Sequence, residues 1–125
     1  MRLRPEPAIL RGEVYWIAPD EDRGSLPRIA HPYVVVQDDL FNASRVDTVL
    51  VCGISSNPKR IAEPGTVLLD EHEGGLSRRS VVLASQISCV AKARLGARIG
   101  ILDQQRVEQI LAALRFVNRL QQQRQ

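Results

Sequence analysis

Apolar positions along the chain fall into short clusters broken by proline, glycine and charge, until residue 104, where they begin to recur at helical spacing. Residues 13–18 (EVYWIA) are aromatic and β-branched and predict a strand. Residues 33–37 (YVVVQ) are apolar on both faces, the pattern of a central strand. Residues 46–54 (VDTVLVCGI) predict a third, and Gly53 inside it marks a bulge or a close backbone approach. Residues 66–69 give a fourth strand, Gly74 and Gly75 turn the chain, and residues 80–84 give a fifth that residues 87–90 either continue or follow with a sixth. After a turn at residues 92–95, a last short strand is expected over residues 98–102. Asp103 then stands where an N-cap belongs. Behind it Val107, Ile110, Leu111, Leu114 and Val117 follow the spacing of one apolar helix face, with Gln104, Gln105, Glu108, Arg115 and Asn118 opposite. Short strands followed by one helix predict a mainly β (α+β) domain, a small barrel or sandwich closed by a terminal helix.

The remaining segments set the boundaries. Pro5 and Pro7 prevent regular pairing, so residues 1–10 read as a flexible arm, residues 11–120 as a single domain and residues 121–125 as a frayed tail. Residues 19–32 form a charged loop long enough to carry function, residues 38–45 a polar turn, and residues 55–60 (SSNPKR) a second polar loop. With 125 residues, 44% hydrophobic and 25% charged, the composition excludes extensive disorder, a collagen-like repeat and a disulfide scaffold. No apolar run approaches the roughly 20 residues of a spanning helix, and the opening MRLRPEP lacks the apolar stretch of a signal peptide. The expectation is a soluble, cytoplasmic protein that makes no membrane contact. Cys52 and Cys89 have neither C-x-x-C nor zinc spacing and are expected as buried thiols.

Charge adds direction. Lys and Arg number 17 against 14 Asp and Glu, and fifteen of the 17 cations are Arg, whose planar fork suits phosphate. Signatures of metalloproteases, P-loops, serine hydrolases and dinucleotide folds are missing. Asp70, Glu71, His72 and Glu73 are consecutive, so a turn aims them apart and they read as a solvated corner, not a metal site. His31 sits at the junction of the long loop and the second strand, held extended by Pro32, where a histidine can line a cleft rim and exchange a proton near neutral pH. Ser55 and Ser56 offer hydroxyls at the end of the third strand, either to an anion or to the turn itself. Arg23, Arg28, Lys59 and Arg60 lie in the same two loops, which converge on a phosphate-sized space if the second and third strands are neighbours. Trp16 and Tyr33 are expected in the core, with base stacking as the alternative.

These residues carry a resemblance that spans residues 10–117. Arg11-Gly12-Glu13-Val14-Tyr15 resembles the opening strand of the MazF/PemK family of toxin endoribonucleases, and Arg23-Gly24-Ser25 its Gly-Ser loop. His31-Pro32-Tyr33-Val34-Val35-Val36 is similar to its Arg-Pro-x-Val-Val strand, Ile54-Ser55-Ser56 to its Ile-Thr-Ser, and Ser80-Val81-Val82-Leu83-Ala84-Ser85-Gln86-Ile87 to its Ser-Val-Val-Leu-Ala-Asp-Gln-Ile block. Lys92-Ala93-Arg94-Leu95-Gly96 and Ile99-Gly100 resemble the stretch before its terminal helix. The resemblance implies a small SH3-like β-barrel of the CcdB/PemK type and a homodimer that cuts single-stranded RNA at short sequences. The cut needs neither metal nor cofactor. It proceeds by 2′-OH attack, leaving a 2′,3′-cyclic phosphate. A cognate antitoxin with an acidic, partly disordered C-terminal segment is the implied protein partner.

The resemblance places catalysis on His31 and Ser55, where the family has Arg and Thr, and RNA binding on Arg23, Ser25, Arg28, Ser56, Lys59, Arg60 and Gln86. Ser85 and Ser88 stand where the family has Asp and Arg. Serine keeps the hydroxyl of threonine, whereas histidine for arginine exchanges a fixed charge for a group that can move a proton. In the nuclease reading His31 is general base or acid, Ser55 donates to the phosphate and Arg23 or Arg28 offsets its charge. The alternatives are a catalytically weakened member, or a CcdB-like barrel that binds RNA or a protein target without cleaving.

Overall fold

The computed structural model describes residues 8–19 and 29–123. Six strands, β1 (Glu13–Ile17), β2 (His31–Val35), β3 (Thr48–Ser55), β4 (Thr66–Leu69), β5 (Ser80–Ala91) and β6 (Leu95–Ile101), form one sheet in the order β4-β5-β3-β2-β1-β6. Every neighbouring pair is antiparallel. A one-turn helix α1 (Asp39–Asn42) follows β2, and the long helix α2 (Gln104–Gln123) ends the described chain. The fold is the mainly β, barrel-like architecture with a terminal helix that the apolar clusters predict.

Alternation along the central strands divides the core in two. Val34, Val36, Cys52 and Ile54 join Val14, Val67, Leu69, Leu76, Val82 and Leu102 beneath Val107 and Ile110 of α2. The intervening residues Val35, Val49 and Val51 pack with Ile17 against Tyr15, Tyr33, Val90 and Leu95. β2 is thus buried on both faces, as a central strand must be. Asp103 caps α2 by accepting from the Arg106 amide at 2.9 Å.

Several local expectations are revised. Residues 38–45 contain α1, because the Asp38 carboxylate accepts from the Leu40 amide at 2.9 Å and caps a turn of helix. Residues 87–90 continue the fifth strand, the first of the two readings offered, while β6 begins at Leu95 and α2 runs on to Gln123. Cys52 is fully buried, with its thiol pushed up to about 12 by desolvation, but Cys89 is exposed. The reason is that only the first half of β5, through Ala84, lies inside the barrel, while residues 85–89 extend along β3 with their side chains in solvent.

Two contacts hold the open edges. Glu13 is buried, and its carboxylate accepts from the Leu10 amide at 2.8 Å, the Tyr15 hydroxyl at 2.8 Å and Arg98 Nε at 2.6 Å, locking β1 to β6. Burial and the bond to Glu13 push the Tyr15 phenol up to about 12. From the opposite edge strand, the 3-10 turn (Glu73–Gly75) that follows β4 crosses to lie flat against β6. A Cβ on Gly100 would collide with the Gly74 carbonyl. The same turn is clamped to α2, since Arg106 Nε and Nη2 donate to Glu73 at 3.0 and 2.9 Å in a two-pronged pair.

Gly100→Ala is therefore expected to cost about 1–3 kcal/mol in urea unfolding, because backbone, not a flexible side chain, occupies the space. The hydrogen bonds from Arg106 hold the Glu73 carboxyl below its ordinary value. The unfolded chain then binds the more protons at acid pH, so this stabilisation is complete above the ordinary carboxylate value and lost as pH falls through the lowered one. Glu73→Gln should cost roughly 1 kcal/mol at pH 7. The gap from wild type should close as pH falls below the ordinary carboxylate range, read from urea midpoints across pH.

Candidate functional site

β2 begins and β3 ends at the same edge of the barrel, and the register between them determines what meets there. Tyr33 faces Gly53, Val34 faces Cys52 and Val35 faces Val51. Carried two residues further, that register sets His31 abreast of Ser55, on the side of the sheet that carries Tyr33 and Gly53. His31, Tyr33, Gly53 and Ser55 all line an open cleft of about 1000 Å³.

The break in β5 supplies the cleft's floor. Pairing with β3 runs to Cys52–Ile87 and resumes at Gly53–Leu83, which leaves residues 84–86 without partners on β3. Gly53 sits opposite this bulge. A Cβ there would lie 3.5 Å from Gln86 Oε1 and 3.7 Å from the Tyr33 ring, so the glycine lets Gln86 and Tyr33 close around its backbone. The predicted bulge at Gly53 is present, and it brings Gln86 into the cleft.

Local hydrogen bonds fix the polar rim. The Ser55 hydroxyl oxygen accepts from the Asn57 amide at 3.1 Å, which orients the side chain and leaves its own proton to donate. Asn57 Oδ1 accepts from the Lys59 amide at 3.0 Å and caps a 3-10 turn (Pro58–Ala62). Within that turn the Arg60 guanidinium bonds Glu63, at 3.1 Å for its second contact, and holds the Glu63 carboxyl below its usual range. Arg60 lines the cleft but spends its charge on Glu63.

The sequence-predicted residues separate as follows. The structure brings together His31, Ser55, Ser56, Arg60 and Gln86. Lys59 is exposed on the same turn but does not line the cleft. Arg23, Ser25 and Arg28 lie outside the described residues. Trp16, expected in the core, is instead 42% exposed and lines the cleft, while Tyr33 is half-buried with its ring between core and cleft. The sequence reading missed Asn57, Ser77, Arg78 and Ser80, which also line the space. The adjacent pair Arg78-Arg79 ahead of an apolar run was the available signal.

Among the described residues, no Asp or Glu lines this cleft. Its described polar groups are hydroxyls, amides, an imidazole and guanidinia, a set that receives anions. Among the described residues, no cluster of three or more His, Cys, Asp or Glu is arranged to hold a metal ion, and Asp70, Glu71 and Glu73 lie on the turn beyond β4. No described helix is long and apolar enough to cross a membrane.

Comparison with known proteins points the same way. The family described as "PemK-like, MazF-like toxin of type II toxin-antitoxin system" matches residues 10–117. Endoribonuclease MazF6 of Mycobacterium tuberculosis is 36% identical over 109 residues, covering 87% of this chain and 96% of that one. Among solved structures, a mycobacterial endoribonuclease in complex with its cognate antitoxin superposes with a TM-score of 0.67 at 24% identity, over 86% of this chain and 91% of that one. MazE–MazF from Deinococcus radiodurans gives 0.73 at 19% identity, over 87% and 94%. At these identities the structures attest the shared fold.

Trp16 is the chain's one tryptophan. Titration with a nucleoside monophosphate is expected to change its emission saturably, and Ser55→Ala to shift that titration to higher concentration. An emission unchanged by any concentration of ligand would place the binding surface elsewhere.

Proposed function

The chain belongs to the PemK-like, MazF-like family of type II toxins, and from that membership we propose that it is an endoribonuclease toxin that cuts single-stranded RNA at His31 and Ser55. The observation that supports the assignment of residues is the β2–β3 register, which, carried two residues on, brings His31 and Ser55 opposite each other on strands whose ends line a cleft with no described acid.

His31 moves the proton. As base it removes hydrogen from the ribose 2′-OH, the 2′-oxygen attacks the adjacent phosphorus, and the bond to the 5′-oxygen breaks. The products are a 2′,3′-cyclic phosphate and a 5′-hydroxyl, the leaving oxygen taking up a proton. Ser55 donates its free hydrogen to a non-bridging oxygen as charge develops there. Ser56, Arg60 and Gln86 border the RNA track, with Lys59 beside it and Arg23, Ser25 and Arg28 supplied by the loop that precedes β2. Trp16 offers an aromatic face on which an unpaired base can stack. The chemistry uses no metal and no cofactor.

The same reading gives the chain a cognate antitoxin whose acidic segment covers the cleft, a homodimeric state and a cytoplasmic site of action. An acidic peptide suits the cleft for the reason that RNA does: its described lining carries cations and hydrogen-bond donors, and no carboxylate.

The test is cleavage of a long single-stranded RNA in excess EDTA, mapped by primer extension, with the ends assayed for cyclic phosphate. His31→Ala is expected to reduce the rate about 10²–10⁴-fold. Ser55→Ala should lose about 10²–10³-fold and Ser55→Thr little. Undiminished cleavage by His31→Ala would remove His31 from the mechanism. Binding without cleavage by the folded wild type would leave a silent RNA-binding member.

A further inference from the structure

Beside the cleft lies a second hollow of about 280 Å³, lined by Pro58, Ile61, Leu68 and Val81 together with Arg78 and Arg79. Its size is at the lower end of small-ligand sites, which begin at roughly 300 Å³. Ile61 and Leu68 are each 42% exposed, so apolar side chains stand open on a surface of otherwise polar loops. Residues 55–57 and Arg78 border both hollows, and the two spaces are contiguous through them.

Arg78 occupies the junction on a fixed bend. Leu76 on one side and Ser80 on the other are buried, and the Ser80 hydroxyl donates to the Arg78 carbonyl at 2.9 Å. Residues 77–79 are exposed between these two anchors. Of the other arginines at this edge, Arg60 is committed to Glu63 and Arg106 to Glu73, while Arg79 lines the second hollow but not the cleft, so Arg78 alone borders both. Among the described residues Arg78 forms no ion pair, and no Asp or Glu lines either hollow. A guanidinium left without an acid between a polar cleft and an apolar pocket matches the alternation of phosphate and base along a single strand.

We propose that Arg78 holds the phosphate joining two nucleotides of single-stranded RNA, one seated in the His31–Ser55 cleft and the next with its base in the hollow walled by Ile61 and Leu68. The assignment rests on the RNA reading of the cleft. It extends the substrate contact by one nucleotide beyond the reacting phosphate and makes the second hollow a determinant of which base is accepted there.

The test separates binding from cleavage. A labelled, uncleavable 2′-O-methyl RNA octamer of random sequence is titrated with the full chain by fluorescence anisotropy across a salt series. One phosphate contact on a single strand contributes about 0.7 to the slope of log affinity against log salt. Arg78→Gln should lower the slope by that amount and weaken binding about 5–10-fold at moderate salt. Arg78→Lys should restore the slope, since a point charge still meets a phosphate. Ile61→Trp should weaken binding with the slope unchanged, and Arg115→Gln, on the exposed face of α2, should change neither. An unaltered slope in Arg78→Gln overturns the proposal. So does an Arg78→Gln variant that loses affinity for a labelled poly-glutamate peptide but not for the octamer, since the cation would then serve an acidic partner. Cleavage of long RNA by the wild type is scored in parallel. Loss of slope without cleavage by the wild type sustains the contact and defeats the nuclease, whereas cleavage with an unaltered slope does the reverse.

Discussion

The break in β5 is the constraint on which the rest of the structure depends. A strand of twelve residues serves two purposes, and residues 84–86 are where it changes from one to the other. Before the break, Ser80–Ala84 are buried between β4 and β3 and carry the core to which α2 docks. Beyond it, the strand follows β3 away from the α2 core, exposed through Cys89 and packing Val90 against the second core cluster. Were pairing continuous, the period-two alternation would run unbroken past Gly53, and Gln86 would be one more sheet residue. Extruding three residues instead places Gln86 at the mouth of the barrel beside Tyr33. The backbone of Ala84 is not orphaned, because its amide reaches the Gly65 carbonyl at 3.0 Å.

Much of this was legible in the chain because it follows from local pattern. The YVVVQ run has no polar face, so β2 had to lie inside the sheet, and a third strand beside it was sufficient to bring His31 towards Ser55. Gly53 announced the bulge, and Asp103 with its apolar periodicity announced α2. What was not legible depends on contacts between residues distant in sequence. Trp16 has the composition of a core residue, and only the position of the cleft at the start of β2 puts it in solvent. Cys89 reads as buried because Val90 and Ile87 flank it, yet the strand has already left the barrel. Arg78 shows nothing in the sequence to distinguish it from thirteen other arginines besides its neighbour Arg79. Its place between two hollows comes from β5 pairing with β3 and β4 at once.

The edges of the sheet explain how so short a chain holds a cleft open. A sheet of six strands with unpaired edges invites slippage or association. Here the edge strand β6 is tied to β1 through the buried Glu13 carboxylate, satisfied by three donors, and the Glu73–Gly75 turn that follows β4, the opposite edge strand, packs against β6. That turn is in turn gripped by α2 through Arg106. The charges on these residues are consumed by structure. Two acids of the turn beyond β4, Asp70 and Glu73, which the sequence reading placed in a solvated corner, are thus the clamp on Arg106.

That division of charge bears on the histidine at position 31. A permanent cation in a cleft that receives RNA contributes by offsetting charge, and Arg78 lines this cleft with no ion pair among the described residues. When charge is met from the β5 side, the residue at the start of β2 is not required to supply it, and an imidazole there can take the proton instead. Ser55 suits the same arrangement: the Asn57 amide occupies one of its lone pairs and leaves the hydroxyl hydrogen free to donate. In the proposed nuclease, histidine where the resembling family has arginine would exchange a fixed charge for a group that moves a proton, on the same β2–β3 register.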